Sequence, residues 1–413
     1  MRTLIKFEFM KLYKKKMNLV VFWGTCVLMA VFMFMSVEQT WIYDKEGNEV
    51  KGLDYAAYRK ETLDALAGPL TDERVEELVR EYQEIASAPG NSEGEGKNWH
   101  LIDSVYCEYY VPRRDLLLLI GHNYDEPGIQ TWGSNLRELD LEAEDGFYET
   151  RQEKLRHTLL SGSRFWQYTE AEQAYWLKKS EKIEAPIFYG YAEGWARILD
   201  IMGFFCIPLV SLFIMTATTY AGEYESNADH IILTTKYGKS KVVAAKNIAA
   251  LLFGGLFYTI NIAVSFLIIL LSYGIEGWNL PIQNFNLEIP YPFTYLETVL
   301  VCVGILYVVA FGMTAFTLFV SARMKNGLPV LAVTLFVFFI ALFLKSSETN
   351  GIYNHILYLL PYNAIDHGTS NLISYPFGGV VFDYIGMRYV VYLLMLAVLM
   401  PFAGRAFKRH QVQ

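Results

Sequence analysis

Apolar runs of bilayer length recur along the chain at residues 18–36, 197–220, 242–273, 298–321, 328–344 and 387–404. A segment in hydrocarbon must satisfy its own backbone, so each run predicts a transmembrane helix. The six together predict an all-α polytopic membrane protein. Ahead of the first, LIKFEFMKLYKK sets Leu4, Ile5, Phe7, Phe9, Leu12 and Tyr13 among lysines. Residues 1–17 therefore form either an amphipathic elbow helix lying in the headgroup layer or a basic flank that fixes orientation.

Between the first two runs, residues 37–196 are polar but keep a helical period. In TDERVEELVREYQEIASAPG, Thr71 is a cap and Asp72 and Glu73 suit the first turn. Val75, Leu78, Val79, Tyr82 and Ile85 then share one face, and Pro89-Gly90 ends the helix. A second helix starts at TEAE, where Thr169 and Glu172 have capping-box spacing ahead of Tyr175, Trp176 and Leu177. NSEGEGKN (91–98) predicts a flexible loop, and NWHLIDSVYCEYYVPRRDLLLLI a further, mostly helical stretch. This block is a folded, mainly helical domain.

Charge orients the frame. The chain carries 35 basic and 43 acidic residues, for a net charge of −8, with 53% hydrophobic residues and a mean hydropathy of +0.22. Residues 37–196 hold 17 of the basic and 32 of the acidic residues, leaving 18 basic against 11 acidic in the apolar frame. The frame's lysines and arginines cluster in alternate connections: at 1–17, in 221–241, in the short link 322–327 and in the tail 405–413. Such residues stay on the cytoplasmic side, which puts both termini inside and 37–196, 274–297 and 345–386 outside. Acidity keeps an exposed domain soluble and also suits capture of basic peptides. Its carboxylates, Glu142, Glu144 and Asp145 among them, show no acid/base pairing. Four scattered cysteines and seven scattered histidines offer neither a disulfide framework nor a metal site.

The segment 221–246, AGEYESNADHIILTTKYGKSKVVAAK, holds the candidate chemistry. Gly238-Lys239-Ser240 matches the tail of a phosphate-binding loop, but Leu233 stands where that loop needs glycine, so no nucleotide site is expected here. A short helix across 223–233 would expose Ile231 and Ile232, an apolar pair that needs a partner surface or the membrane to cover it. Acidic-x-acidic, then apolar-apolar-Leu-Thr-Thr, then Gly-basic and an Ala-Lys span entrance, on this topology, resemble the permease subunits of ATP-binding-cassette (ABC) exporters of the second type. The resemblance implies that 221–241 is the coupling helix received by a separate ATPase. Glu223, Glu225, Asp229, Ile231, Leu233, Thr234, Thr235, Lys239 and Lys246 would form that coupling site. Ser226-Asn227 departs from the family's frequent Gly-Thr, and Lys236-Tyr237-Gly238-Lys239 from its proline or arginine. SARMKNG (321–327) and LYLLPYNAI (357–365) resemble the family's short inner link and its outer re-entrant segment.

The resemblance implies a bacterial plasma-membrane exporter subunit without catalysis or cofactor of its own. Two ATPase subunits would carry ATP and magnesium, a second permease copy or related chain would complete the pathway, and membrane lipids would surround it. Nucleic acid is not an expected partner. Polar residues within the runs, Asn247, Asn261, Thr314 and Thr317, are candidates for lining the route, with Asp200 and Glu297 near the outer face. Pro208 is a candidate kink. Aromatic-rich, charge-poor spans favour a lipophilic or amphipathic cargo such as a peptide, lipid or drug. The alternative is a non-transporting receptor or immunity protein whose acidic domain captures a peptide.

Overall fold

The computed structural model describes the chain except residues 127–130, 132, 144, 163–164, 349–350 and 410–413, and only the backbone at Lys97. Glu144 and the end of the 405–413 tail thus lie outside the described residues. In chain order the helices are α1 (Arg2–Lys14), α2 (Lys16–Glu38), α3 (Gly52–Ala65), α4 (Asp72–Ser87), α5 (Val111–Asn123), α6 (Phe147–Ser161), α7 (Glu170–Ser180) and α8 (Glu193–Asp200). They continue as α9 (Met202–Glu225), α10 (Ala228–Thr234), α11 (Gly238–Tyr273), α12 (Tyr295–Ser321), α13 (Gly327–Phe343), α14 (Gly351–Tyr358), α15 (Pro361–Ala364) and α16 (Tyr384–Lys408).

Five of these, α2, α9, α11, α12 and α16, are long and apolar enough to cross a membrane. The run predicted at 328–344 is shorter. Helix α13 has 13 α-helical residues and a four-residue 3-10 turn, roughly 27 Å at 1.5 and 2.0 Å per residue. That falls slightly under a hydrocarbon core of about 30 Å. The chain is a mainly helical, multi-pass membrane protein.

Helix α1 forms within residues 1–17, and its inner face adds Glu8 to Phe9, Leu12 and Tyr13 while leaving Phe7 out. Glu8 and Leu12 are buried, Phe9 packs edge-on against Phe253 of α11, and Phe7 is exposed. Lys15 adopts extended backbone between α1 and α2. Asn18, fully buried, then donates to Leu12 O (2.9 Å) and Met215 O (3.2 Å), fixing the bend against α9.

Helix α9 starts as a 3-10 turn (Met202–Phe205), so Pro208 falls in the first α-helical turn, where a missing N–H breaks nothing. The interruption lies instead at Ala217, between Cys206–Thr216 and Thr218–Glu225. There the buried Ser321 hydroxyl donates to Ala217 O (2.7 Å) and accepts from the N–H groups of Tyr220 (3.1 Å) and Ala221 (3.0 Å). A side chain from α12 replaces the helix's own bonds.

The polar block folds on a core of its own, in which Val75, Val79, Leu116, Ile120 and Phe147 are buried. Thr71 caps α4, and Thr169 and Glu172 close the predicted capping box of α7. The predicted 91–98 loop is more ordered than expected: Ser92–Glu93 pairs with His100–Leu101 as a short antiparallel hairpin. Ser374–Phe377 and Val380–Asp383 form another, turning at Gly378-Gly379 with φ of +53° and +90°, dihedrals that a glycine pair adopts without cost. This hairpin runs directly into α16. The segment 357–365 breaks at Leu360–Pro361, where proline opens α15. Arg388, buried in α16, donates to the carbonyls of Ala364 (3.1 Å) and His367 (3.0 Å) beyond that break.

Candidate functional site

Where α1, α9 and α11 meet, four charges are packed together. Lys246 of α11 is 1% exposed, and its Nζ lies 2.8 Å from Glu8 Oε2 of α1 and within bonding contact of Glu223 of α9. Lys11 of α1 reaches the same Glu223 oxygen at 2.5 Å. Two ammoniums thus neutralise two carboxylates, and only Lys11 is half-exposed. Lys15 adds a bond to Thr218 Oγ1 at 2.9 Å. A buried charge tolerates the loss of water only when paired and hydrogen-bonded, so these side chains lock three helices into one arrangement.

Glu225 ties in a fourth helix. Its Oε1 accepts from Gly327 N at 3.1 Å, while Asn326 caps the same end through Leu328 N at 2.9 Å. A carboxylate at a helix N-terminus meets unpaired N–H groups and the positive end of the dipole. Tyr224 closes the arrangement by donating to Ala322 O at 3.0 Å.

The expected single helix across 223–233 is instead broken. Asn227 has φ +54° and separates α9 from α10, a left-handed position that asparagine tolerates better than most residues. In α10, Asp229 and Leu233 are buried while Ile231 is 72% exposed. Thr234 and Thr235 turn their hydroxyls back onto Ile231 O and Ile232 O, both at 2.8 Å, but remain exposed. Gly238 is a close-approach position: a Cβ there would sit 1.6 Å from Ile232 O. The Gly238-Lys239-Ser240 stretch opens a helix as a π turn, with Lys239 exposed. Beside it the ring of Tyr237 has the ammoniums of Lys236 and Lys241 near it, at Nζ–centroid distances of 5.6 and 4.4 Å. The loop between α9 and α11 thus exposes Ile231, Thr234, Thr235 and Tyr237, while Glu223 and Lys246 pair where those two helices meet.

A family profile described as an ABC-2 family transporter protein matches residues 3–412. The chain belongs to the ABC-2 transporter family. Nothing matches it among curated proteins or solved structures. Members of this family are the membrane components of ABC transporters and associate with ABC ATPase subunits.

The structure of this ABC-2 permease divides the sequence-predicted residues. Glu223 and Lys246 meet in the charged base, with Glu225 next to them, whereas Ile231, Thr234, Thr235 and Lys239 are exposed on the loop and Asp229 and Leu233 are buried beneath it. The route candidates are internal. Thr314 and Thr317 are fully buried and donate to Ala310 O and Met313 O of their own helix, at 2.7 and 2.9 Å. Asn261 does the same to Phe257 O at 2.8 Å. Asn247 holds helices together, accepting from Tyr220 Oη (2.7 Å) and donating to Met400 O (3.1 Å). Glu297 closes the capping box of α12 with Thr294. Glu8 was not legible as a site residue, because a glutamate among six lysines and arginines reads as part of a solvated basic face.

Proposed function

We propose that this permease exports a lipophilic or amphipathic cargo, with the 226–241 segment docked in an ABC ATPase. The observation that carries this reading is the exposed set of Ile231, Thr234, Thr235 and Tyr237 on the loop that runs from α9 to α11, the two helices that Glu223 and Lys246 pair with each other and with α1. A push on the loop would reach α1, α9 and α11 through bonds rather than through solvent. In the proposed arrangement both termini and this loop are cytoplasmic, α13 completes six spans, and residues 37–196 lie outside. Two permease chains and two ATPases would share the work, with ATP and magnesium on the ATPases. Coupling of this kind requires that the ATPase engage the loop differently in its open and closed states.

The test co-expresses and co-purifies this chain with a candidate ABC ATPase from the same organism. Ile231→Asp places a charge at an exposed apolar contact, and it should weaken ATPase capture at least about ten-fold, as loss of a central interface residue does. Thermal stability should stay as in the wild type, since Ile231 is largely exposed. Undiminished capture by the variant would overturn the docking assignment. Peptide capture by the acidic domain without any ATPase association would favour the receptor reading instead.

A further inference from the structure

Apolar surface does not stop where the spans end. Val27, Val31 and Phe34 are exposed along α2, and Leu267 and Leu271 along α11. Spaced three and four residues apart, each set is a stripe on one side of its helix, as suits contact with lipid. Past the ends of these helices the exposure continues. Trp41, Leu53, Ile275 and Trp278 are each between 49% and 65% exposed.

Hydrogen bonds hold the four at the level of the span ends. Trp41 pairs with Lys51 in a short hairpin, and Gly52, next to Leu53, donates to Thr40 O at 3.0 Å, just past α2. Tyr273, the last residue of α11, donates from Oη to Thr40 Oγ1 at 3.2 Å, and Ile275 follows directly. Trp278 O accepts from Leu296 N, in the first turn of α12, at 2.9 Å. Lys60 of α3 pairs with Glu276, next to Ile275. Single apolar side chains scattered over a surface are ordinary, whereas four gathered where three apolar helices end need a cover.

Tryptophan combines an apolar body with one N–H, which suits the boundary between hydrocarbon and water. Charge does not supply the attraction. Residues 41–54 carry Lys45 and Lys51 against Asp44, Glu46, Glu49 and Asp54, so no basic excess draws this surface to anionic lipid.

We propose that Trp41, Leu53, Ile275 and Trp278 are seated in the headgroup layer of the adjoining leaflet, so that the polar block rests on the membrane by apolar insertion. The inference rests on α2, α11 and α12 crossing the membrane, and is the same whichever side the block occupies and whatever the permease carries. The experiment places a nitroxide at Leu53→Cys, Ile275→Cys or Glu77→Cys of the full chain in phosphatidylcholine nanodiscs. Each variant also carries Cys206→Ala, because the other three cysteines are buried. Glu77 is the reference, exposed on α4 with Glu73, Glu76, Arg80 and Glu84, a face too charged to enter lipid.

Relaxation of the label by oxygen, which concentrates in lipid, is compared with relaxation by a water-soluble nickel chelate. At 53 and 275 oxygen should dominate, and at 77 the order should reverse. Both orders should persist when phosphatidylglycerol replaces part of the phosphatidylcholine and when salt is raised. Chelate-dominated relaxation at 53 and 275 would put this face in water and overturn the proposal. Exclusion of both reagents would mean that protein, such as a second copy of this chain, covers it, and would overturn it equally. An oxygen preference that appears only with phosphatidylglycerol would replace apolar insertion by charge attraction.

Discussion

A lysine with 1% exposure in the first turns of a membrane helix is stable only because Glu8 and Glu223 take its charge. Removing one partner of such a group leaves the others without a counter-charge, which costs about 3–5 kcal/mol, more than the intact pairs contribute relative to an apolar replacement. Lys246→Met should therefore destabilise the permease by that amount. Glu8→Gln combined with Lys246→Met should recover part of the loss, because Glu223 retains Lys11 at 2.5 Å. Thermal unfolding of the detergent-purified single and double variants checks this, and equal destabilisation of the two would refute it. The same chemistry explains what the sequence could show at this scale. Lys246 stood out by its place at a span entrance, whereas the burial of Glu8 depends on a residue 238 positions away, and no local pattern carries that information.

At the scale of elements, local signals were reliable where local chemistry decides. Thr71 and the Thr169/Glu172 pair sit where capping requires them, and both helices follow. Hydropathy located the long helices and the shorter α13, but it could not tell that α9 would break at Ala217 rather than Pro208. That break is decided by a hydroxyl from another helix. Ser321→Ala removes the acceptor for Tyr220 N and Ala221 N and the donor for Ala217 O together, which should cost about 1–3 kcal/mol locally. Hydrogen exchange at the Tyr220 and Ala221 amides should accelerate about ten-fold or more, while amides in the capped helix α4 keep their rates. Unchanged exchange at the two amides would mean that α9 re-forms its own bonds. The Ser374–Asp383 hairpin was legible in principle, since SYPFGGVVFD carries a Gly-Gly turn between β-branched and aromatic residues. Its strands are only four residues each, and Pro376 lies in one of them, which weakens that local signal.

Across the whole molecule, the polar block is fastened to the helix bundle by polar contacts, several of them buried. Tyr191 Oη donates to Tyr273 O (2.6 Å) and Trp195 Nε1 to Ile275 O (3.0 Å), both at the end of α11. Arg151 donates to Leu287 O (2.8 Å) and Ile289 O (3.2 Å). The contact most sensitive to solution conditions is at α7, where Lys179 pairs with Asp383 and Tyr175 Oη donates to the same carboxylate at 2.9 Å. Asp383 also caps α16 through Gly386 N at 2.7 Å. Burial pushes the Asp383 carboxyl up, but the Lys179 ammonium and these hydrogen bonds outweigh it and hold the group below the usual carboxylate range. With the folded pKa below the unfolded value of about 3.9, the stabilisation is complete above that value and disappears as pH falls through the folded one. Acid below about pH 4 should thus loosen the hairpin from α7, seen as faster hydrogen exchange at residues 374–377. Asp383→Asn keeps a side chain able to cap the helix while removing the charge. It should lower stability at pH 7 by about 1.5–3 kcal/mol and remove most of that acid dependence. An acid limb identical to the wild type would assign the dependence to other carboxylates, with Asp115, held low by Arg59 against the effect of its burial, next in line.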